Sequence, residues 1–229
     1  MDVIQAIKDR KSIRAFKPDP VALDLLRKII EQAQRAPSWA NTQPWEFAVA
    51  TGKPLKTIQD AFVKRGAAAM QNSQSEVARP GEFPEPYITR IKKMQAQENR
   101  GRTTAMTKED MDARMITNFR HYGAPVCIYL LVGKNFVYQA KGPNMWALYD
   151  CGSAVQNIML LATDAGLGTI AQAMAVVYPD IIRKELGIPE DKLIALGIAI
   201  GYPDWKDPVT EDIRGREPLA EIAKFYGFK

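Results

Sequence analysis

Apolar residues recur along this chain at two different spacings, which predict helices in some segments and strands in others. Helical spacing is clearest after Asp19-Pro20, where a cap residue and a proline suit a first turn and a 3.6-residue period follows. The apolar positions of this second helix, which is predicted to end before Pro37, are Ala22, Leu25, Leu26, Ile29, Ile30 and Ala33. The other predicted helices are 2–9 with Asp2 as its cap, 53–65, 87–98, 108–120, 144–165, 179–186 and a final helix after Pro218.

Four segments have the alternating or continuous apolar character of strands: 45–50, 125–132, 169–174 and 193–200. The second and fourth are nearly uninterrupted apolar runs, which are typical of strands buried on both faces. The helix over 144–165 has a wide apolar surface and is followed by Gly166 as a C-terminal cap. Helices first, and then strands interleaved with helices, indicate an α/β (α+β) fold in a three-layer sandwich around a mixed sheet.

The region from about 62 to 120 differs from the rest of the chain because it is polar and rich in turn-forming residues, with two of the predicted helices. A charged, irregular insertion of this size in a compact domain often forms a lid or a binding surface. A length of 229 residues fits one α/β domain. We therefore expect a single domain over 1–229 with an insertion or lid region at about 62–120.

Composition narrows the class of protein. Hydrophobic residues make up 46% and charged residues 25%, as is ordinary for a soluble globular protein. The net charge of +5 is mild and the basic residues form no stripe, so no nucleic-acid partner is expected. No apolar run approaches the roughly 18 residues that a membrane span needs, and the charged, amphipathic start is not a cleavable leader. These features predict a cytoplasmic protein with no membrane partner.

Residues that commonly carry catalysis or bind metals are scarce. Cys127 and Cys151 are the two cysteines, and their apolar surroundings indicate buried free thiols rather than a disulfide. His121 is the single histidine, so no Cys/His metal site is expected. No Ser/His/Asp triad or carboxylate pair is evident. This absence fits an enzyme whose chemistry belongs to a cofactor.

Two segments carry the candidate chemistry. Arg10-Lys11-Ser12-Ile13-Arg14 places three cations and a hydroxyl directly after the first helix. Guanidinium groups bind phosphate oxygens in pairs, so a phosphate-bearing ligand suits this cluster, although a solvated basic turn is the alternative. The second segment, Ala36-Pro37-Ser38-Trp39-Ala40-Asn41-Thr42-Gln43-Pro44-Trp45, is typical of a rigid loop that presents backbone and amide groups to a flat ligand.

Together, these segments resemble the nitroreductase family of FMN-dependent oxidoreductases. Two later stretches extend the resemblance: Asp150-Cys151-Gly152-Ser153-Ala154-Val155-Gln156-Asn157, running on to Gly166-Leu167-Gly168-Thr169, and Gly201-Tyr202-Pro203 followed by Arg214-Gly215-Arg216. The resemblance implies a mainly antiparallel sheet in an intertwined homodimer, with FMN sites at the dimer interface. It further implies NADH or NADPH as hydride donor and nitroaromatic or quinone-type acceptors reduced by a ping-pong mechanism.

The resemblance also implies roles for individual residues in the basic segment. Arg10 and Ser12 would hold the phosphate and ribityl chain of FMN, and Lys11 between them would contribute through its backbone. Arg14 would face the pyrimidine edge of the flavin, where a fixed cation stabilises negative charge on the reduced ring. Arg14 is therefore the predicted catalytic residue, with a surface salt bridge as the alternative reading.

The remaining implied contacts come from three places along the chain. The loop residues Pro37, Ser38, Trp39 and Asn41 would reach the flavin from the partner subunit, and Trp39 would either cover the flavin or anchor the dimer interface. The other implied contacts are the backbone N–H groups of Gln172, Ala173 and Met174, and the late basic pair Arg214 and Arg216 at the phosphate.

Two other functions remain open from the sequence. One is a sister chemistry on the same fold, such as flavin destruction or reductive dehalogenation. The other is a non-catalytic flavin-binding redox sensor.

Overall fold

The computed structural model describes residues 1–66, 75–78, 80–98, 106–210 and 214–228. The chain is divided into two compact units. The first consists of Met1–Arg79 and Met106–Thr210, and the second of Pro80–Ala105 and Glu211–Lys229. The main sheet and the helices that cover it belong to the first unit.

The described helices are α1 (Val3–Asp9), α2 (Leu23–Ala33), α3 (Gly52–Arg65), α4 (Tyr87–Glu98), α5 (Lys108–Phe119), α6 (Lys134–Val137), α7 (Met145–Asp164), α8 (Pro179–Leu186) and α9 (Leu219–Ile222). The described strands are β1 (Glu46–Thr51), β2 (Val126–Gly133), β3 (Tyr138–Gln139), β4 (Gly142–Pro143), β5 (Gly168–Gln172) and β6 (Lys192–Gly201). The predicted helices and strands are all present, with small shifts at their ends.

Within the described residues, the main sheet has four strands in the order β1-β2-β6-β5, and each neighbouring pair is antiparallel. A single parallel bridge joins Ser12 to Thr169 beside β5. Strands β3 and β4 form a separate antiparallel pair. The prediction of a mainly antiparallel sheet flanked by helices is confirmed.

Strand β2 shows why the fold has three layers. All of its residues except the last are buried, so both faces of the sheet are covered, as the continuous apolar run predicted. Val126, Ile128 and Leu130 belong to the same core cluster as residues of α2 and α7. Cys127 and Tyr129 point the other way, into a cluster with residues of α3 and α8. The alternation of side chains along one strand therefore joins both helical layers.

Two predicted element ends are wrong. Helix α2 begins at Leu23, not at Asp19-Pro20. Its N-cap residue is Ala22, which makes no side-chain capping bond. The backbone N–H of Lys17 donates to the carbonyl of Tyr202 (2.9 Å), and Val21 packs against the core, so the approach to the helix stays extended. The second error, at the end of β5, concerns the functional site and is described below.

Part of the predicted insertion is anchored on the first unit through Glu76. One carboxylate oxygen accepts from Lys134 Nζ (2.8 Å) and Arg183 Nη2 (2.9 Å), and the other from the backbone N–H of Ile194 (2.7 Å). The hydroxyl of Tyr138 donates to the carbonyl oxygen of Glu76 (2.6 Å). Residues 67–74, 79 and 99–105 of the predicted insertion lie outside the described residues, and a lid remains a prediction.

Candidate functional site

The basic segment after α1 is held by its backbone. Ser12 bridges Thr169, and the N–H of Ile13 donates to the carbonyl of Thr169 (3.0 Å). Further along, the N–H of Phe16 donates to the carbonyl of Tyr122 (3.2 Å), and the carbonyl of Ala15 accepts from the N–H of the residue after Pro203 (3.0 Å). The segment is therefore fixed on β5, on the turn after α5 and on the loop after β6.

The side chains of this segment divide between the core and the surface. Ile13 and Phe16 are buried, whereas Arg10, Ser12 and Arg14 are partly exposed. Arg14 Nη1 donates to the carbonyl of Ser12 (3.2 Å), which orients its guanidinium group beside the segment. The segment thus places two guanidinium groups and a hydroxyl along a backbone held by hydrogen bonds, which is a composition that suits a phosphate.

Lys11 points to a different place. Its ammonium nitrogen lies 5.9 Å from the centre of the Trp205 ring, within the distance of a cation–π interaction. Its side chain lines a small pocket of about 300 Å³ together with Asp9, Ile13 and Gly168. The predicted contribution of Lys11 through its backbone is untested by this arrangement.

Residues 172–174 lie at the far end of β5 from Ser12. Strand β5 ends at Gln172, and Ala173 and Met174 begin a 3₁₀ helix over Ala173–Val176, so the predicted strand over 169–174 is two residues too long. A Cβ added to Gly197 on β6 would lie 2.4 Å from the Cβ of Ala175. The chain leaves β5 and packs Ala175 against β6 because Gly197 has no side chain there. The apolar pattern of β5 alone gave no sign of this end.

The side chain of Gln172 is buried, and its Nε2 donates to Asn118 Oδ1 (3.0 Å) at the end of α5. Ala173 is exposed and Met174 is partly exposed. Among the described residues, the buried hydroxyl of Thr169 and the amide oxygen of Gln172 have no hydrogen-bond partner. Both ends of β5 therefore carry unsatisfied polar atoms next to predicted ligand contacts.

The predicted loop folds as a tight turn over Pro37–Gln43, with a 3₁₀ segment at Trp39–Asn41. The φ angles of Ala40, Asn41 and Gln43 are 50°, 57° and 46°, which is the left-handed region. The hydroxyl of Ser38 accepts from the N–H of Gln43 (3.0 Å) and closes the turn. Pro37, Trp39 and Asn41 are exposed and Ser38 is partly exposed, and their contact with a flat ligand stays a prediction.

Helix α7 supplies three residues beside this turn that the sequence reasoning did not identify as site residues. Trp146, Tyr149 and Asp150 line a cleft of about 480 Å³ together with Pro37, Ser38 and Trp39. The ring centres of Trp39 and Trp146 are 6.4 Å apart, and those of Trp146 and Tyr149 are 5.8 Å apart. Their spacing of three and four residues places them on one face of the helix, which is the signal that could have found them.

Asp150 connects α7 to the turn directly. Its Oδ2 accepts from the backbone N–H of Trp39 (2.9 Å), although 111 residues separate the two along the chain. The residue is only 4% exposed. A second side chain of the same helix, Asn157, donates to the carbonyl of Ala33 (3.2 Å) at the end of α2.

Arg214 and Arg216 belong to the second unit. Arg216 is exposed, and its Nη1 donates to the carbonyls of Arg214 (3.1 Å) and Gly215 (2.9 Å). Their contribution to a phosphate site remains a prediction.

The thiols and the imidazole are not poised for catalysis. Cys127 and Cys151 are buried and free, as predicted, and burial raises the pKa of each thiol to about 12. Burial lowers the pKa of His121 to about 4, so its ring is neutral at pH 7. Among the described residues, no group of three His, Cys, Asp or Glu side chains could hold a metal ion. No described helix is long and apolar enough to cross a membrane.

Known proteins are similar to this chain in sequence and in fold. The model of the nitroreductase family matches residues 7–202. The chain is 30% identical to the 4-nitrobenzoate reductase of Nocardioides sp. (strain LMS-CY) over 224 residues, covering 96% of this chain and 87% of that protein.

Two solved structures are similar over nearly the whole chain. The FMN and NADPH-dependent nitroreductase NfnB from Sphigopyxis sp. strain HMH is 33% identical, with a TM-score of 0.89 and 100% of both chains covered. The FMN-dependent nitroreductase NfnB from Mycobacterium smegmatis, solved in complex with NADPH, is 29% identical, with a TM-score of 0.86 and 98% and 99% covered. The chain belongs to the nitroreductase family.

Proposed function

We propose that this protein is an FMN-dependent NAD(P)H oxidoreductase that reduces nitroaromatic or quinone-type acceptors. The observation that carries the proposal is the Arg10–Arg14 segment, which bears two guanidinium groups and a hydroxyl and whose backbone is fixed on β5 at Ser12 and Ile13. The relatives named above support it, because they are nitroaromatic reductases or FMN-dependent nitroreductases.

The described residues fit FMN in charge and polarity. Arg10 and Ser12 are partly exposed and suit a phosphate and a ribityl hydroxyl, while the unpartnered Thr169 hydroxyl lies in the residue that bridges Ser12. Bound FMN would supply a ring that accepts a hydride from NAD(P)H and passes electrons to the acceptor. Arg14 would stabilise negative charge at the pyrimidine edge through its permanently charged guanidinium group.

The other predicted contacts complete the proposed site. Backbone N–H groups from Gln172 to Met174 would bind the polar edge of the ring. The turn residues Pro37, Ser38, Trp39 and Asn41 would cover the ring and exclude water. These assignments are supported by the motif match to the family. The phosphate contacts of Arg214 and Arg216, which belong to the second unit, stay a prediction from the sequence.

A cytoplasmic homodimer is part of this proposal. Support comes from apolar side chains left exposed in the first unit: Val3, Ile4 and Ile7 on α1, and Met145, Trp146 and Tyr149 on α7, each 56–69% exposed. Gly152 lies on the same face of α7, and a Cβ added there would meet no atom within 4 Å. A second copy of the chain would cover this apolar face and place the Pro37–Gln43 turn of one subunit at the flavin of the other.

The test is to purify the protein and measure its flavin content and turnover. We expect a yellow protein with about one noncovalent FMN per chain. We also expect NADPH or NADH oxidation that accelerates when 4-nitrobenzoate or a quinone is added, with parallel lines in double-reciprocal plots. A protein that remains colourless after incubation with FMN contradicts the proposal, and flavin binding without turnover would indicate a redox sensor instead.

Light scattering tests the dimer. We expect twice the mass of one chain for wild type, whereas Gly152→Arg should give monomers or insoluble protein because it places a bulky charge on the exposed apolar face. Gly81→Ala serves as control, since a Cβ there also meets no atom within 4 Å and Gly81 lies in the second unit. A folded wild-type monomer that holds FMN would contradict the dimer.

A further inference from the structure

The Pro37–Gln43 turn needs support from outside itself. Three of its residues, Ala40, Asn41 and Gln43, hold left-handed φ angles that a side chain with a Cβ disfavours. The turn has internal hydrogen bonds from Asn41 N to Ser38 O (3.0 Å), from Thr42 N to Trp39 O (3.1 Å) and from Gln43 N to the Ser38 hydroxyl. These bonds close the turn but do not fix where it lies on the protein.

Asp150 provides a fixed point. The N–H groups at the start of a helical turn have no acceptor within the turn and need one from elsewhere. The residue that would normally cap this start is Ser38, but its hydroxyl is occupied by Gln43 N and makes no capping bond. The carboxylate of Asp150 takes that place by accepting from Trp39 N at 2.9 Å.

The position of Asp150 in α7 makes it a rigid anchor. Its neighbours Ala147, Cys151 and Ala154 are buried in the core with at most 1% exposure, so the helix backbone at this point is fixed by packing. One turn earlier, Trp146 lies beside the ring of Trp39. Backbone and side chain of Trp39 are therefore both positioned by the same face of one helix.

We propose that Asp150 is a positioning residue that caps the Trp39–Asn41 segment and holds the turn in the conformation that contacts the flavin. The inference rests on the proposed function, in which this turn covers FMN. Asp150 acts through its acceptor oxygen, because the group it meets is a backbone N–H. An amide oxygen in the same position should therefore serve nearly as well, whereas an apolar side chain of similar size should not.

The substitutions to compare are Asp150→Leu and Asp150→Asn. In the leucine variant, we expect the Kd for FMN to rise by about tenfold or more, because the hydrogen bond from the Trp39 N–H to a carboxylate is lost and the turn loses this link to α7. With saturating FMN, KM for the acceptor should rise more than kcat falls. The asparagine variant should stay within about threefold of wild type in both, since the acceptor remains.

Two further variants separate positioning from general damage. Asp164→Leu, at the exposed end of the same helix, should leave FMN affinity unchanged. Ala40→Gly, added to Asp150→Leu, should restore part of the lost affinity because glycine adopts positive φ readily. Equal FMN affinity in wild type and Asp150→Leu, or a loss in Asp150→Asn as large as in Asp150→Leu, overturns the proposal.

Hydrogen exchange of the apoprotein tests the bond from the Trp39 N–H to Asp150 without an activity assay. The wild-type measurement remains informative even if Asp150→Leu fails to fold. The Trp39 amide should exchange slowly in wild type and in Asp150→Asn, and in a folded Asp150→Leu at least about tenfold faster than in wild type. Exchange of the Trp39 amide at the rate of an open chain in folded wild type overturns the role of Asp150. A wild type with a protected Trp39 amide but no FMN binding would instead overturn the proposed function and leave the capping bond standing.

Discussion

The two parts of the proposed flavin site in the first unit are supported in different ways. The Arg10–Lys17 segment is held by main-chain hydrogen bonds to β5, to Tyr122 and to the loop after β6. The Pro37–Gln43 turn is held by the carboxylate of Asp150 and by its own internal bonds. Main-chain bonds survive most side-chain changes, whereas a carboxylate is lost in one substitution. The first part should therefore be sensitive to backbone packing, and the second to single side chains.

The largest effect should come from crowding the backbone of the basic segment. A Cβ at Gly168 would lie 2.5 Å from Ile13 Cγ1 and 2.8 Å from Pro203 Cγ. Gly168→Ala must push the segment away from β5, so we expect a loss of about 3 kcal/mol in the free energy of unfolding and weaker FMN binding. Urea unfolding of the apoprotein measures the free energy of unfolding, and Gly81→Ala serves as the control that should leave stability unchanged. Unchanged stability in Gly168→Ala would show that the segment is not clamped.

The turn that holds Phe16 contains an acid-sensitive group. His121 is buried, with Gln59 Nε2 3.2 Å from its Nδ1, and burial lowers its pKa to about 4 from an ordinary value of 6.5. Below pH 6.5 the unfolded chain takes up a proton that the folded chain does not, so stability falls until the pH reaches about 4. By pH 5 this linkage amounts to roughly 2 kcal/mol.

Urea unfolding at pH 8 and pH 5 measures this term. Wild type should lose about 2 kcal/mol more over that interval than His121→Gln, whose side chain does not titrate. Because the chain has a single histidine, no other imidazole contributes. The same pH dependence in both proteins would mean that His121 takes up its proton over the same pH range in the folded and the unfolded chain.

A smaller effect should follow from changing charge without disturbing the backbone. Arg14→Gln keeps the main-chain bonds of its segment but removes the cation proposed to face the flavin. In FMN-loaded protein, we expect the two-electron potential to fall by about 30 mV, equivalent to about 1.4 kcal/mol, with slower reduction by NAD(P)H. Arg14→Lys should lie between, since it keeps the charge but not the planar group. Equal potentials at full FMN occupancy would leave Arg14 with a binding role alone.

The smallest effect should be a gain in stability within the strained turn. Ala40→Gly removes the Cβ from a residue at φ 50°, so we expect the free energy of unfolding to rise by about 0.5–1 kcal/mol. Ala113→Gly, at an exposed helical position of α5, should do the reverse by about 1 kcal/mol. If both substitutions destabilise equally, the left-handed conformation of Ala40 is not a source of strain.

The parts of the fold that follow from local pattern were predictable. Strands β2 and β6 are long apolar runs, and α7 is a long apolar helix, so their existence needed no knowledge of their neighbours. The start of α2 was not predictable in this way, because Asp19-Pro20 is a valid local signal that a backbone bond from Lys17 to Tyr202 overrides. The end of β5 depends likewise on the missing side chain of Gly197 in another strand.

The same division applies to the site. The cations of Arg10 and Arg14 and the outward-facing turn could be inferred from residue types and a family resemblance. The contact of Asp150 with Trp39 could not, since nothing local in either segment indicates that the other lies 2.9 Å away. Long-range pairing decides such contacts, and the spacing of Trp146, Tyr149 and Asp150 gave only a shared helix face.

Asp150 and Asn157 are seven residues apart on α7, which is two helical turns or about 10 Å. Asn157 binds the carbonyl of Ala33 and Asp150 binds the N–H of Trp39, so α7 holds the segment between Ala33 and Trp39 at both ends. The length of chain from Ala33 to Trp39 is thereby matched to a fixed distance. A one-residue insertion or deletion between Ala33 and Trp39 should break one of these two hydrogen bonds. Evolution can therefore exchange side chains in this stretch more easily than it can change its length.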